Sequence, residues 1–122
     1  MMERIRNARI TDVTLNMRDH GALVYGLVLD MGGSGCVYGG YAIGNGFLGA
    51  KEFSGSAKGI EAMMRIMDVV GVEAWEDLRG KYVRIVDPGL GGTVDRIGNA
   101  LRDRWFSQRE FFSGEGTKGA TE

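Results

Sequence analysis

The stretch G-G-S-G-C-V-Y-G-G-Y-A-I-G-N-G-F-L-G, from Gly32 to Gly49, holds eight of the 21 glycines in this chain of 122 residues. An average protein contains only about 7% glycine. Glycine adopts positive φ angles and lets backbone approach backbone or ligand closely. The stretch is not a flexible linker, because it also carries apolar side chains: Val37, Tyr38, Tyr41, Ile43, Phe47 and Leu48. It therefore predicts tight hairpins or a binding surface, and the sequence leaves both uses open.

Three strand patterns lie in and before this stretch. The segment from Ile5 to Leu15 alternates charged and apolar residues, and the turn residues Arg18–Gly21 follow it. The segment from Ala22 to Asp30 is rich in β-branched and aromatic residues, which favour strands. Cys36–Ile43 is predicted to form the third strand, with Gly39-Gly40 as a bulge or a point of close packing. Two short connections predict an antiparallel meander.

One clear helix pattern follows a loop from Gly44 to Gly55. Ser54 or Ser56 is suited to cap the helix, and Gly71 is suited to end it. Its apolar residues recur at helical spacing: Ile60, Met63, Met64 and Met67, widened by Ala62, Ile66, Val69 and Val70. A helix this apolar is expected to pack on the sheet, and we interpret its methionines as core residues.

The second half of the chain adds a short helical turn and two strands. The turn covers Glu73–Leu78, and the strand from Lys81 to Asp87 places Val83 and Ile85 on one face and Tyr82, Arg84 and Val86 on the other. A fifth strand is predicted from Thr93 to Leu101. Ser107 begins a short C-terminal turn with a capping box. We expect the following residues to be buried in the core: Met63, Met67, Val70, Trp75 and Trp105.

These elements predict one α+β domain over residues 1–112. We expect a strongly bent antiparallel sheet of about five strands with one principal helix packed on it. The order of elements is also compatible with an OB-like barrel. Residues 113–122 contain no apolar residue beyond one alanine, and we predict that they form a disordered C-terminal tail.

Composition excludes several classes of function. The net charge is −1, from 15 basic and 16 acidic residues, so there is no general electrostatic attraction to duplex DNA or to an acidic membrane. No apolar run approaches the roughly 20 residues of a membrane span, and no apolar stretch follows the N-terminus as in a signal peptide. Cys36 and His20 are the only residues of their types, so we expect no disulfide, no metal, no cofactor and a reducing intracellular compartment.

The candidate catalytic motifs lack the context that their chemistry needs. Gly44–Gly49 matches G-x-G-x-x-G, but a dinucleotide site requires a helix that begins inside the motif, and Phe53–Ser56 interrupts any such helix. We interpret His20 as a turn residue bonded to Asp19, and Cys36 as a buried strand thiol. No catalytic residue is assigned, and we predict that the protein is not an enzyme.

Arginines are concentrated near both ends of the chain: Arg4, Arg6, Arg9, Arg96, Arg102 and Arg104. If the first and last strands are neighbours, these arginines can share a face with Tyr82 and Trp105. Arginine beside aromatic rings is typical of single-strand binders. The alternative is scattered surface arginines paired with Glu3, Asp12, Asp95 and Asp103. Our candidate binding residues are Gly39, Gly40, Tyr41, Gly44, Gly46, Arg102 and Arg104.

Four ordered blocks between Ile5 and Phe112 carry a resemblance: D-H-G-A-L-V-Y-G-L-V-L-D (Asp19–Asp30), G-G-Y-A-I-G (Gly39–Gly44), V-V-G-V-E-A-W-E-D-L-R-G-K-Y-V-R-I (Val69–Ile85) and W-F-S-Q-R-E-F-F (Trp105–Phe112). The chain resembles a family of small uncharacterised proteins of phages, prophages and mobile elements. The resemblance implies an accessory protein in the bacterial cytoplasm that acts by binding.

These observations lead to three functional hypotheses. The first is a non-enzymatic phage-type protein that binds a host or phage protein and blocks host defence, as anti-CRISPR proteins do; an edge strand or the glycine-rich stretch would then take the partner. The second is an OB-like module that binds single-stranded nucleic acid. The third is a small nucleotide binder or hydrolase.

Overall fold

A computed structural model describes residues 4–46, 51–89 and 93–119. In this part of the chain, seven strands form one sheet in the order β4-β3-β2-β1-β5-β6-β7, and all neighbours are antiparallel. The elements are β1 (Ile5–Asp19), β2 (Ala22–Asp30), β3 (Gly35–Asn45), β4 (Ser54–Gly55), α1 (Ala57–Val70), a 3-10 turn (Trp75–Leu78), β5 (Tyr82–Val86), β6 (Arg96–Asn99), β7 (Trp105–Ser107) and α2 (Gln108–Gly119).

The α+β class, the antiparallel sheet and the principal helix are confirmed, but the number of strands is not. The prediction of about five strands missed β4 and β7, which have two and three residues and are too short to show an alternating pattern. The predicted fifth strand, Thr93–Leu101, corresponds to β6, which is shorter and covers only Arg96–Asn99.

The long strand β1 joins the two halves of the sheet. Its first residues, Ile5–Arg9, pair with β5, and the strand pairs with β2 from Arg9 onward. A register shift between Ile10 and Asp12 bends the strand where it changes partner. The sheet curls far enough for Tyr38 on β3 to form a parallel bridge with Val94, just before β6. The result is a half-barrel rather than a flat sheet.

The turn between β1 and β2 is the predicted one. His20 and Gly21 have φ angles of 53° and 83°, and they connect the paired residues Asp19 and Ala22. Positive φ at both central residues is typical of a tight hairpin whose twist matches the flanking strands.

Gly39 and Gly40 form the predicted bulge in β3. Between the pairs Val24–Ala42 and Gly26–Gly39, the register shifts. Gly39 has a φ of 120°, and a Cβ atom there would lie 2.5 Å from the backbone oxygen of Tyr25. Only glycine fits a position with both constraints. At this point, close approach within the sheet explains the glycine.

Helix α1 begins and ends as predicted. The Ser56 hydroxyl accepts a hydrogen bond from the Gly59 N–H at 2.9 Å, and Gly71 ends the helix in the left-handed conformation with a φ of 94°. The predicted apolar face is partly wrong, because Ile60 and Met64 are more than half exposed. The buried residues are Gly59, Ala62, Met63, Ile66 and Val69. The apolar face of the helix is wider than the surface that packs on the sheet. The small residues Gly59 and Ala62 lie within the packed part.

The core lies between α1 and the concave face of the sheet, with Val83 and Ile85 inward as predicted. Of the five predicted core residues, only Met63 is fully buried; Met67, Val70 and Trp75 pack at the edge of the core. Trp105 is the clearest correction. Side chains alternate along β7, so the buried Phe106 points inward and the partly exposed Trp105 points outward.

Helix α2 begins at the predicted cap, where the Ser107 hydroxyl accepts a hydrogen bond from the Glu110 N–H at 3.1 Å. Phe112 in its first turns stacks on Tyr41 with ring centroids 4.4 Å apart. The helix continues to Gly119, into the segment that the composition predicts to be disordered.

Replacing Gly39 with alanine should destabilise the fold. The added Cβ meets the Tyr25 carbonyl, and the positive φ is strained for alanine, so we expect a loss of at least about 2 kcal/mol in the free energy of unfolding. Urea denaturation of Gly39→Ala checks this. Gly55→Ala is the control, because a Cβ there meets nothing within 4 Å and its φ is not positive. Equal stability of the two variants would contradict the packing described here.

Candidate functional site

The convex face of the sheet, which is turned away from α1, carries arginines and aromatic rings on β1, β5, β6 and β7. We call this surface the outer face. Strand register places its side chains in cross-strand rows. Arg9 is opposite Tyr82, and Asn7, Arg84, Gly98 and Trp105 follow one another across four strands.

The indole ring of Trp105 lies flat on the backbone of Gly98. A Cβ atom at Gly98 would be 2.7 Å from the ring, so glycine at this position lets the ring rest on the sheet. The Arg84 guanidinium lies 5.1 Å from the ring centroid, within the range of a cation–π contact. The indole N–H donates a hydrogen bond to Asp103 at 3.0 Å. The ring is therefore fixed in orientation while part of its surface stays accessible.

Hydrogen bonds to backbone oxygens hold the Arg84 side chain in place. Its guanidinium donates hydrogen bonds to the backbone oxygens of Asn99, at 2.8 Å, and Arg102, at 2.7 Å. A side chain fixed by two such bonds loses little further entropy when it meets a ligand. The alternation of β5 predicts that Arg84 faces outward with Tyr82, but its contact with Trp105 depends on the register of three strands.

A groove of about 380 Å³ runs beside the Trp105 ring. It is lined by Ile5, Val86, Arg96, Trp105, Ser107 and Glu110. Ile5 is 55% exposed and gives the groove an apolar surface. Arg96 lies 3.9 Å from the carboxylate of Glu110 across the groove. The groove therefore combines an aromatic wall, an apolar surface and the paired charges of Arg96 and Glu110.

The structure does not gather the predicted arginines at one site. The first strand and the last strands are not neighbours, because β5 lies between β1 and β6. Arg6 points to the concave side, where it pairs with Asp87 at 3.3 Å. Arg104 pairs with Asp68 on α1. Arg9 and Arg96 lie on the outer face, and Tyr82 and Trp105 share that face.

The glycine-rich candidates lie on or next to β3, apart from the outer-face arginines. Gly39 packs on β2, and Gly44 pairs with Gly55 of β4. The Phe53 ring occupies the space beside Gly46. Tyr41 is partly buried under α2, and Gly40, with a φ of 90°, has open space beside it. The structure thus gives intramolecular contacts to most of these residues, and their role in binding stays a prediction.

The titratable candidates are apart from one another. His20 is exposed in the β1–β2 turn, while Cys36 is partly buried on β3. Burial raises the pKa of the Cys36 thiol, as does the nearby Asp87 carboxylate, against the opposing effect of Arg6. The Gly89 N–H and Arg6 both donate hydrogen bonds to Asp87 and lower the pKa of that carboxyl.

The G-x-G-x-x-G motif lacks the helix of a dinucleotide site. Gly44 and Asn45 belong to β3, whereas α1 begins only at Ala57. Phe47, Leu48 and Gly49 lie outside the described residues.

The described residues present neither a metal-binding cluster nor a membrane-spanning helix. They contain no group of three or more His, Cys, Asp or Glu side chains placed to hold a metal ion. None of their helices is long and apolar enough to span a membrane. No protein family, curated protein or solved structure matches the chain.

Cys36 should react slowly with iodoacetamide at pH 8. Because its pKa is raised, the folded protein holds less thiolate at this pH than the unfolded chain does, and thiolate is the reactive form. The rate should rise with pH beyond the ordinary thiol range near 8.5. Mass spectrometry of native and urea-unfolded samples measures the two rates. Equal rates in both states would show that the thiol is not shielded.

Proposed function

We propose that this protein acts by binding rather than by catalysis, and that its ligand is single-stranded nucleic acid held across the outer face. The observation that carries the proposal is the Trp105 ring, which lies flat on Gly98 beside the fixed guanidinium of Arg84. An oriented and partly accessible ring next to a cation is the combination on which an unpaired base stacks while its phosphate is neutralised.

Neighbouring residues supply the other contacts that such a ligand needs. Tyr82 is 62% exposed on the same face and offers a second ring. Arg9 and Arg96 lie on either side of the row that contains Trp105, where they can meet the backbone phosphates. Bases in a duplex are stacked on one another and do not present their faces, so this surface favours single strands. The net charge of −1 also argues against non-specific duplex binding.

An OB-like barrel is part of the proposal. The strand and helix order is compatible with that fold, since β1–β3 form a meander, α1 follows, and β5 and β6 return. The long bent β1 pairs with both β2 and β5, and the Tyr38–Val94 bridge brings β3 towards β6. OB folds are partly open five-stranded barrels that bind oligonucleotides on their surface. Fold analogy alone does not assign a function, so the argument depends on the side chains of the outer face.

A protein partner is the second candidate, because the β2–β3 part of the convex surface is apolar. Val28 and Val37 are paired there, with 38% and 54% of their surfaces exposed. Under this hypothesis the chain is a phage-type inhibitor in the bacterial cytoplasm, and the valine pair and Gly40 meet the partner.

Removal of the Trp105 ring should weaken binding to a labelled single-stranded oligonucleotide. Stacking is worth about 1–3 kcal/mol per base, so Trp105→Ala should raise Kd by about fivefold to more than a hundredfold. Fluorescence anisotropy at about 50 mM salt, where electrostatic binding is strong, measures the change. Phe53→Ala is the control, because it removes an exposed ring beside β4, at the opposite edge of the sheet. No binding by the wild-type protein would refute the nucleic-acid function and leave the protein partner.

The arginines of the outer face should set the salt dependence. Each arginine that neutralises a phosphate contributes about one to the slope of log affinity against log salt concentration. Arg9→Ala and Arg96→Ala should each lower the slope by about this amount. Arg65→Ala removes an equal charge from α1, where Arg65 pairs with Glu61, and should leave the slope unchanged. The same slope in all four proteins would contradict the assignment.

A further inference from the structure

The loop between β6 and β7 presents one apolar side chain to solvent. Leu101 is 93% exposed, and it is the most exposed large hydrophobic residue in the described ranges. We call residues 100–104 the Leu101 loop. A single exposed leucine is ordinary on a protein surface, but the backbone of this loop is held by hydrogen bonds and the loop lies beside Trp105.

Side chains behind the loop fix its backbone. The Asn99 side-chain oxygen accepts hydrogen bonds from the N–H groups of Leu101 and Arg102, each at 2.9 Å. The Asn99 amide in turn donates to the Val69 oxygen at the end of α1, at 2.8 Å. The Arg104 side chain pairs with Asp68 on the same helix. Leu101 is therefore held outward by an ordered loop that is anchored to the core.

Two side chains connect the Leu101 loop to the Trp105 ring. One guanidinium, that of Arg84, donates to the backbone oxygen of Arg102 and also lies over the Trp105 ring. Asp103, within the loop, accepts the hydrogen bond from the Trp105 indole. A strand stacked on Trp105 thus has the Leu101 loop next to it, with Arg102 adjacent to the leucine.

We propose, on the basis of the nucleic-acid function above, that Leu101 is a wedge. It inserts between two neighbouring bases of the bound single strand, beside the base that stacks on Trp105, and Arg102 contacts the phosphate between them. An apolar side chain inserted at a base step unstacks the two bases. The wedge separates stacked bases so that one of them turns onto the indole ring. The ligand of the Leu101 loop is thus the same nucleic-acid strand that stacks on Trp105, and the loop determines at which base step the stacking is broken.

The test uses oligonucleotides that carry 2-aminopurine at successive positions, because this base brightens when it loses its stacked neighbours. Wild-type protein should brighten the probe at one position or one adjacent pair. Leu101→Ser should abolish the brightening and raise Kd by about tenfold, equivalent to ~1.4 kcal/mol. Leu101→Met keeps an apolar wedge and should retain both the brightening of the probe and the wild-type Kd. Ile60→Ser is the matched control, because it removes an exposed apolar side chain from α1.

The outcomes separate the wedge from the function on which it depends. If wild-type protein binds without brightening any probe, or if Leu101→Ser brightens it equally, the wedge is wrong and single-strand binding stands. If wild-type protein binds no oligonucleotide, both are wrong. Circular dichroism of Leu101→Ser should match the wild type, since the side chain is 93% exposed. A loss of helix signal would contradict the structural description of an outward leucine.

Discussion

The buried side chain of Gln108 holds the curled sheet together. It is only 2% exposed, and it accepts a hydrogen bond from the Tyr25 hydroxyl at 2.7 Å while donating one to the Gly39 oxygen at 3.3 Å. One residue at the start of α2 is thereby bonded to β2 and to β3. Because an unsatisfied polar group in a core costs about 1–3 kcal/mol, these bonds stabilise the position of α2 against the curled sheet. The bulge at Gly39 brings β3 so close to β2 that a Cβ atom there would lie 2.5 Å from the Tyr25 backbone oxygen.

This closure also determines the outer face. Gln108 directly follows β7, so its position fixes that strand beside β6. With Phe106 buried in the core, alternation turns Trp105 outward over Gly98. Arg84 then lies between the indole and the Leu101 loop. The candidate site therefore depends on how the half-barrel closes, and its side chains come from the consecutive strands β5, β6 and β7 together with β1.

The sequence predicts the elements that have a local pattern. The meander, the bulge at Gly39-Gly40 and both caps of α1 follow from turn chemistry and alternation, and the structure confirms them. The sequence does not predict strands of two or three residues. It also does not show which half of a wide apolar helix face is buried. The sequence places Trp105 in the core, because large aromatic side chains are mostly buried. Only the register of β5, β6 and β7 shows that it faces outward, and this register also reveals Arg84, which the sequence did not indicate as a site residue.

The most direct test of the account is a nuclear magnetic resonance titration with a short single-stranded oligonucleotide, following the backbone amides and the two indole N–H signals. We expect the Trp105 indole signal to shift together with amides of β5, β6, β7 and residues 100–104. The Trp75 indole, which packs at the core edge against Tyr25, should not move. Shifts confined to Gly35–Asn45, or no shifts at any ligand concentration, would contradict the assignment of the outer face as the binding surface.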